Sequence, residues 1–268
     1  MLRVKLSVVY ACMLTAVTLL VTGCSTAPED KTAGMSPNAL YAEAKEVMGM
    51  GQWDKAVTLL DKLEARAAGT PLAQQAQLDK AYAHYKAQES AQAIATLDRF
   101  MKLHPASPAL DYALYLKGII NFNDDLGMFS AVTRQDLSER DQKAAKESFE
   151  SFKELTTRFP DSRYTPDARQ RMNYIVNSLA QYEVHVARYY YKRGAYLAAI
   201  NRAQITVTDY RDVPAMEEAL FILYKSYDAL GMTQLRDDTR RVLESNYPHS
   251  EFLTSGAKSS KDPWWKVW

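Results

Sequence analysis

The residues that could do covalent or metal chemistry in this chain are its cysteines and histidines, and their placement separates them. Cys24 closes the run Val21-Thr22-Gly23-Cys24. Its thiol is the only soft nucleophile nearby, and small Thr22 and Gly23 suit the narrow slot of a peptidase. Ahead of it come a basic head, Arg3 and Lys5, and roughly 14 mostly apolar, uncharged residues from Val8 to Val21, the anatomy of a secretory signal; a membrane span would need about 20. His84, His104, His185 and His249 lie far apart, with no H-E-x-x-H and no clustered ligand spacing, so no metal site is expected. No G-x-S-x-G elbow and no glycine-rich phosphate loop occurs, and Asp124-Asp125 alone supports neither glycosidase chemistry nor calcium binding. Neither a catalytic residue nor a cofactor is expected.

The stretch ending at Cys24 resembles the bacterial lipoprotein box. The resemblance implies that the thiol is diacylated, the bond before it cut and the new N-terminus acylated. Each buried CH2 of such chains is worth about 0.8 kcal/mol, so the tether would be permanent. Ser25, and not Asp, follows the cysteine, which by resemblance to sorted lipoproteins favours the outer membrane. The alternative is an ordinary secretory signal in which Cys24 is incidental. Cleavage would discard residues 1–23 and take the formal charge from +1 to −1, which gives no electrostatic argument for nucleic acid. Cys12 goes with that segment, so no intramolecular disulfide is open to the mature chain and packing must hold the fold.

The elements after the anchor are helical. Residues 24–36 are small, polar and proline-bearing and read as a flexible linker; Ser36-Pro37 reads as a helix cap with proline in the first turn. A repeat then sets the fold. Gly51-Gln52-Trp53-Asp54-Lys55-Ala56 places glycine, aromatic and alanine at offsets that recur in Gly194-Ala195-Tyr196-Leu197-Ala198-Ala199. Gln88 to Ala93 and Gly231 to Arg236 are degraded copies. Glycine relieves the turn between antiparallel helices, the aromatic fills the wedge, and the small residue lets the second helix approach the first. Proline closes each pair in Leu103-His104-Pro105, Arg158-Phe159-Pro160 and Asn246-Tyr247-Pro248, with a looser copy ending at Pro214. The prediction is an all-α tetratricopeptide (TPR) helical-hairpin solenoid over residues 37–250, with N-terminal half 37–160 and C-terminal half 161–250. Its five pairs fall near 37–68, 72–104, 108–159, 166–211 and 214–248. The third carries an insertion, residues 122–140, between helices at Asp111–Asn121 and Asp141–Arg158; the fourth opens with a helix from Pro166 to Arg193, roughly 40 Å long. Residues 251–268 form a polar tail with an aromatic tip, Trp264-Trp265-Lys266-Val267-Trp268. That tip reads as a membrane-interface anchor, a tail without a role, or a segment that docks into a partner.

The chain resembles the BamD (ComL-like) family. The resemblance rests on the run to Cys24, on Ala76 to Lys86, Ile94 to Pro105 and Asp111 to Gly118, on Tyr182 to Tyr190 leading into Arg193-Gly194-Ala195-Tyr196, and on Asn201-Arg202. It implies a non-enzymatic scaffold on the periplasmic side of the outer membrane. Such a scaffold would hold BamA and other assembly-machine lipoproteins and receive unfolded outer-membrane β-barrel proteins. By family analogy the C-terminal repeats meet BamA, with Arg202, Arg188 and Tyr196 as candidate partner contacts. The N-terminal repeats would face substrate, with Trp53, Tyr82 and Tyr85 as a candidate groove. Against this, Trp53 also reads as the wedge aromatic of the first pair, Tyr82 and Tyr85 as core, and Arg202 as a solvated charge. Tyr182, Tyr189, Tyr190, Tyr191 and Tyr196 cover more than one helix face, so some of these rings must be exposed or meet a partner. The alternative function is a TPR lipoprotein adaptor for envelope proteases or peptidoglycan enzymes.

Overall fold

Four of the turns between paired helices share one hydrogen-bond pattern, and it begins with a residue in the left-handed region. Gly51, Gly194 and Gly231 have φ of 73°, 73° and 68°. At the first of them Gln52 N–H donates to Val47 O at 2.9 Å and Gly51 N–H to Met48 O at 3.0 Å, a Schellman closure. The same two bonds recur at Glu89/Gln88, Ala195/Gly194 and Met232/Gly231. At the second turn the position is held by Gln88, at φ 66°, where a Cβ crowds the backbone. Gln88→Gly should therefore stabilise the chain by about 0.5–1 kcal/mol, the left-handed penalty less the glycine entropy; its thermal midpoint, measured by circular dichroism, should rise.

The computed structural model describes residues 32–122 and 142–255. The segment through Cys24, the insertion from Asn123 to Arg140 and the Trp264–Trp268 tip lie outside the described residues. Among those described the chain is entirely helical: α1 Pro37–Gly49, α2 Trp53–Arg66, α3 Pro71–Lys86, α4 Ser90–Leu103, α5 Leu110–Phe122, α6 Gln142–Arg158, α7 Thr165–Lys192, α8 Tyr196–Asp209, α9 Met216–Ala229, α10 Thr233–Asn246 and α11 Glu251–Ser255. Ser36 caps α1, its hydroxyl accepting from Ala39 N–H at 3.2 Å, and Thr70 caps α3 in the same way. From α1 to α10 each helix packs on the next, and α11 folds back onto α9, giving the TPR-type succession of hairpins that the repeat spacing predicts.

The spacing rule holds at the level of atoms. Ala56, Ala93 and Ala199, each five residues after the turn residue, are fully buried, where a small side chain lets the second helix of a pair approach the first. Arg236 takes that place in the last pair, and Leu243 is the buried residue of α10. In the third pair closeness comes from Gly118 on α5, which lies against the fully buried ring of Phe152 on α6.

The 28-residue α7 belongs to two clusters at once. Its first half brings Ala168, Ile175 and Leu179 against Leu114, Phe152 and Leu155. Its second half packs Ala180, Val184 and Ala187 with Ala199, Ile200 and Ala203 of α8.

Candidate functional site

Most of α3 is covered, by α1, α2, α4 and α5, and this forces its buried polar residues into pairs. Asp79 and Lys80 are each only 8% exposed, where an unpaired charge would be costly. Asp79 turns toward α1, accepting from Tyr41 Oη at 2.9 Å and Lys45 Nζ at 3.4 Å. Lys80 turns toward α2, donating to Asp61 at 2.8 Å and Glu64 at 2.6 Å. Gln77 donates to Glu64 at 2.9 Å, and Arg99 of α4 also reaches Glu64. Asp61, Glu64, Lys80 and Arg99 line an open cleft of about 570 Å³ between α2 and α4. Burial acts to raise the Glu64 pKa, but the bonds from Lys80 and Gln77 and the nearby cations hold it below its ordinary value. Burial likewise works against the Lys80 charge, and Asp61 and Glu64 overcome it, leaving the ammonium pKa raised. The network is charge-balanced within itself and holds the first two pairs together.

The first helices of the second and third pairs, α3 and α5, carry tyrosine doublets that form a row of rings with Trp53 of α2 and with Tyr164, the residue before α7. Trp53 meets Tyr82 edge-on with ring centres 6.1 Å apart, and Tyr82 meets Tyr85 at 6.4 Å. All three are half-buried, so the structure brings the candidate groove residues together while also using Trp53 and Tyr82 to wall the first core. The row continues beyond them. Tyr112 lies 5.7 Å from Tyr164, and Tyr115 stacks on Tyr164 at 4.7 Å while donating to Asp167 at 2.8 Å. Burial, with Asp79 next, raises the Tyr112 pKa; burial and the Asp79 hydrogen bond push Tyr41 up to about 12. Both phenols stay neutral across the physiological range. Sequence reasoning singled out Tyr82 and Tyr85 but passed over Tyr41, Tyr112, Tyr115 and Tyr164. The available signal was the doublet Tyr82-x-x-Tyr85 repeated as Tyr112-x-x-Tyr115 on the next first helix.

The C-terminal candidates fall on α7 and α8 and are held by separate partners. Arg188 makes a two-pronged contact with Glu218 of α9, Nε to Oε1 at 2.5 Å and Nη2 to Oε2 at 2.6 Å. Arg202 donates from Nη1 to Glu183 Oε2 at 3.1 Å; Arg202 is part-exposed while Glu183 is buried. Tyr196 packs on Tyr191 with ring centres 5.6 Å apart. Of the tyrosine cluster, Tyr189 is exposed and Tyr182, Tyr190, Tyr191 and Tyr196 are half-buried. The C-terminal helices also leave apolar side chains exposed: Leu197 of α8 at 62%, then Leu235 and Val242 of α10 and Met232 just ahead of it. Exposed side chains of this kind suit binding by apolar contact.

Among the described residues no group of three or more His, Cys, Asp or Glu is arranged to hold a metal. None of their helices is long and apolar enough to cross a membrane.

The family model described as "YfiO: Outer membrane lipoprotein" matches residues 33–243. The chain is 46% identical over 237 residues to the outer membrane protein assembly factor BamD of Neisseria meningitidis serogroup A, covering 88% of this chain and 89% of that one. It is 45% identical over the same shares to BamD of Neisseria gonorrhoeae. With BamD of Vibrio cholerae the identity is 35% over 227 residues, 85% of this chain and 94% of the relative.

Proposed function

From the premise that this chain belongs to the YfiO family of outer membrane lipoproteins, which includes the BamD assembly factors, we propose that it is a non-enzymatic scaffold in outer-membrane protein assembly. It is tethered by acylated Cys24 to the periplasmic face of the outer membrane. Its C-terminal pairs hold BamA and other assembly-machine lipoproteins, and its N-terminal aromatic row receives unfolded β-barrel proteins. The observation that carries the reading is the extent of the family match, which covers nearly all of the hairpin array at once. A row of half-buried phenols can grip an extended chain through ring contacts and hydrogen bonds without breaking a bond in it.

The direct test is purification of the lipidated chain from envelopes in mild detergent. A stable complex with a large barrel protein is expected; capture of a soluble protease or amidase in its place would establish the adaptor role instead. The partner contact at Arg202 needs a variant that respects its internal bond. Arg202→Glu would set a second carboxylate against buried Glu183, confounding loss of binding with loss of fold. Glu183→Gln/Arg202→Gln removes both charges and keeps an amide pair in their place. It should fold with an unchanged helical spectrum and capture the barrel partner about tenfold less well, the loss of at least 1.4 kcal/mol expected of an interface arginine. Full capture by the folded double variant would remove Arg202 from the interface.

A further inference from the structure

The C-terminal end of the solenoid holds an aromatic cavity with no assigned occupant. It measures about 270 Å³ and lies between α7, α9, α10 and α11. Phe221 of α9 stacks on Phe252 of α11 with ring centres 5.3 Å apart, and Tyr224 stands 6.4 Å from Phe221. Tyr191, at the end of α7, forms part of the lining. The rim is charged: Lys225 Nζ lies 5.5 Å above the Tyr224 ring, and Arg240 pairs with Glu244 at 2.7 Å.

We propose that this cavity is the seat of the chain's own aromatic tail, with an indole of the Trp264-Trp265 pair entering beside Tyr224 and Phe252. Four observations select that occupant. The tail leaves the described fold at Ser255, the last residue of α11, whose Phe252 and Leu253 already line the cavity. Residues 256–263 separate that exit from Trp264, and at about 3.3 Å per residue they reach well past the cavity mouth. Size agrees, because a cavity of roughly 150 Å³ holds a benzene ring, and an indole with part of its stem fills the larger one. Charge agrees as well: Asp262, two residues before Trp264, complements Lys225 and Arg240, while Lys261 and Lys266 complement Glu244. A segment attached this close competes at an effective concentration in the millimolar range, ahead of a second copy or a free ligand. Docked there, the tail covers the open end of a repeat array, which otherwise presents apolar surface to water.

The test uses the full-length mature chain carrying Cys24→Ser, to avoid micelles, and Trp53→Phe. The three tail tryptophans, out of four in the chain, then supply all indole emission. Emission should be blue-shifted and several-fold less quenched by acrylamide than that of a free peptide of residues 256–268, at any protein concentration. Tyr224→Ala should return both values toward those of the free peptide. Trp264→Ala/Trp265→Ala, which leaves every solenoid residue in place, should speed amide exchange in α11. Peptide-like emission in the parent overturns the proposal. So does a shift that grows with protein concentration, which marks a second copy. A shift seen only with phosphatidylethanolamine–phosphatidylglycerol vesicles assigns the tip to the bilayer instead. Unchanged exchange in the tail variant overturns it as well.

Discussion

Valine at position 118 should unfold the middle of the solenoid, and alanine should weaken it measurably. A Cβ built on Gly118 overlaps three atoms of the Phe152 ring. That ring has nowhere to go: it is fully buried, with Tyr115 6.1 Å away on one flank and Phe122 6.4 Å away on another. The two helices are further locked by Ser148 Oγ, which donates to Gly118 O at 2.8 Å inside the contact. Alanine gains about 0.5–1 kcal/mol of helix propensity but meets an overpacking cost of about 1–3 kcal/mol, for a net loss. Valine adds two methyl groups to the same clash and a β-branch to the helix. At roughly 2–4 °C per kcal/mol for a chain of this size, the alanine variant should melt several degrees early by circular dichroism. The valine variant should show a split transition as the flanking pairs lose their common neighbour. Trimming the ring in Gly118→Ala/Phe152→Leu should recover part of the loss. An alanine variant as stable as the parent would mean that α5 and α6 lie farther apart than described.

The second large effect is positional. Cys24→Ala should move the chain from the membrane fraction to the soluble one and abolish labelling by radioactive palmitate. One acyl chain gives only marginal binding and stable anchoring takes two signals, so a thiol carrying two chains beside an acylated terminus amounts to an all-or-none switch. Purified protein separates the tether from retention by partners: on phase separation of Triton X-114 the parent should enter the detergent phase and the variant the aqueous phase. Detergent-phase partition of the variant would refute the lipid anchor.

What was legible in the sequence was whatever is decided locally. The turns could be read because glycine, aromatic and alanine act within six residues, and Gln88 adopts the turn conformation even without the glycine. Helix bounds followed closely: α5 runs Leu110–Phe122 where Asp111–Asn121 was expected, and α7 Thr165–Lys192 where Pro166–Arg193 was expected. The buried charges of α3 were not legible. Asp79 and Lys80 are adjacent in sequence and look like solvated side chains, yet they point to different neighbours, and only the helices around α3 bury both. The reach of the aromatic row was hidden for a related reason, since Tyr115 meets Asp167 across 52 residues and Tyr41 meets Asp79 across 38. Candidate Arg202 was found by resemblance, but its bond to Glu183 was not, because a glutamate on an exposed-looking helix carries no sign of burial.

The long seventh helix has a mechanical corollary. Past Pro166 it contains neither proline nor glycine, the usual causes of a kink, so it behaves as an axle of about 42 Å. One degree of tilt imposed at the Asp167 end swings the Lys192 end sideways by about 0.7 Å over that length. A load on the first three hairpins and a load on the last two would thus feel each other as leverage.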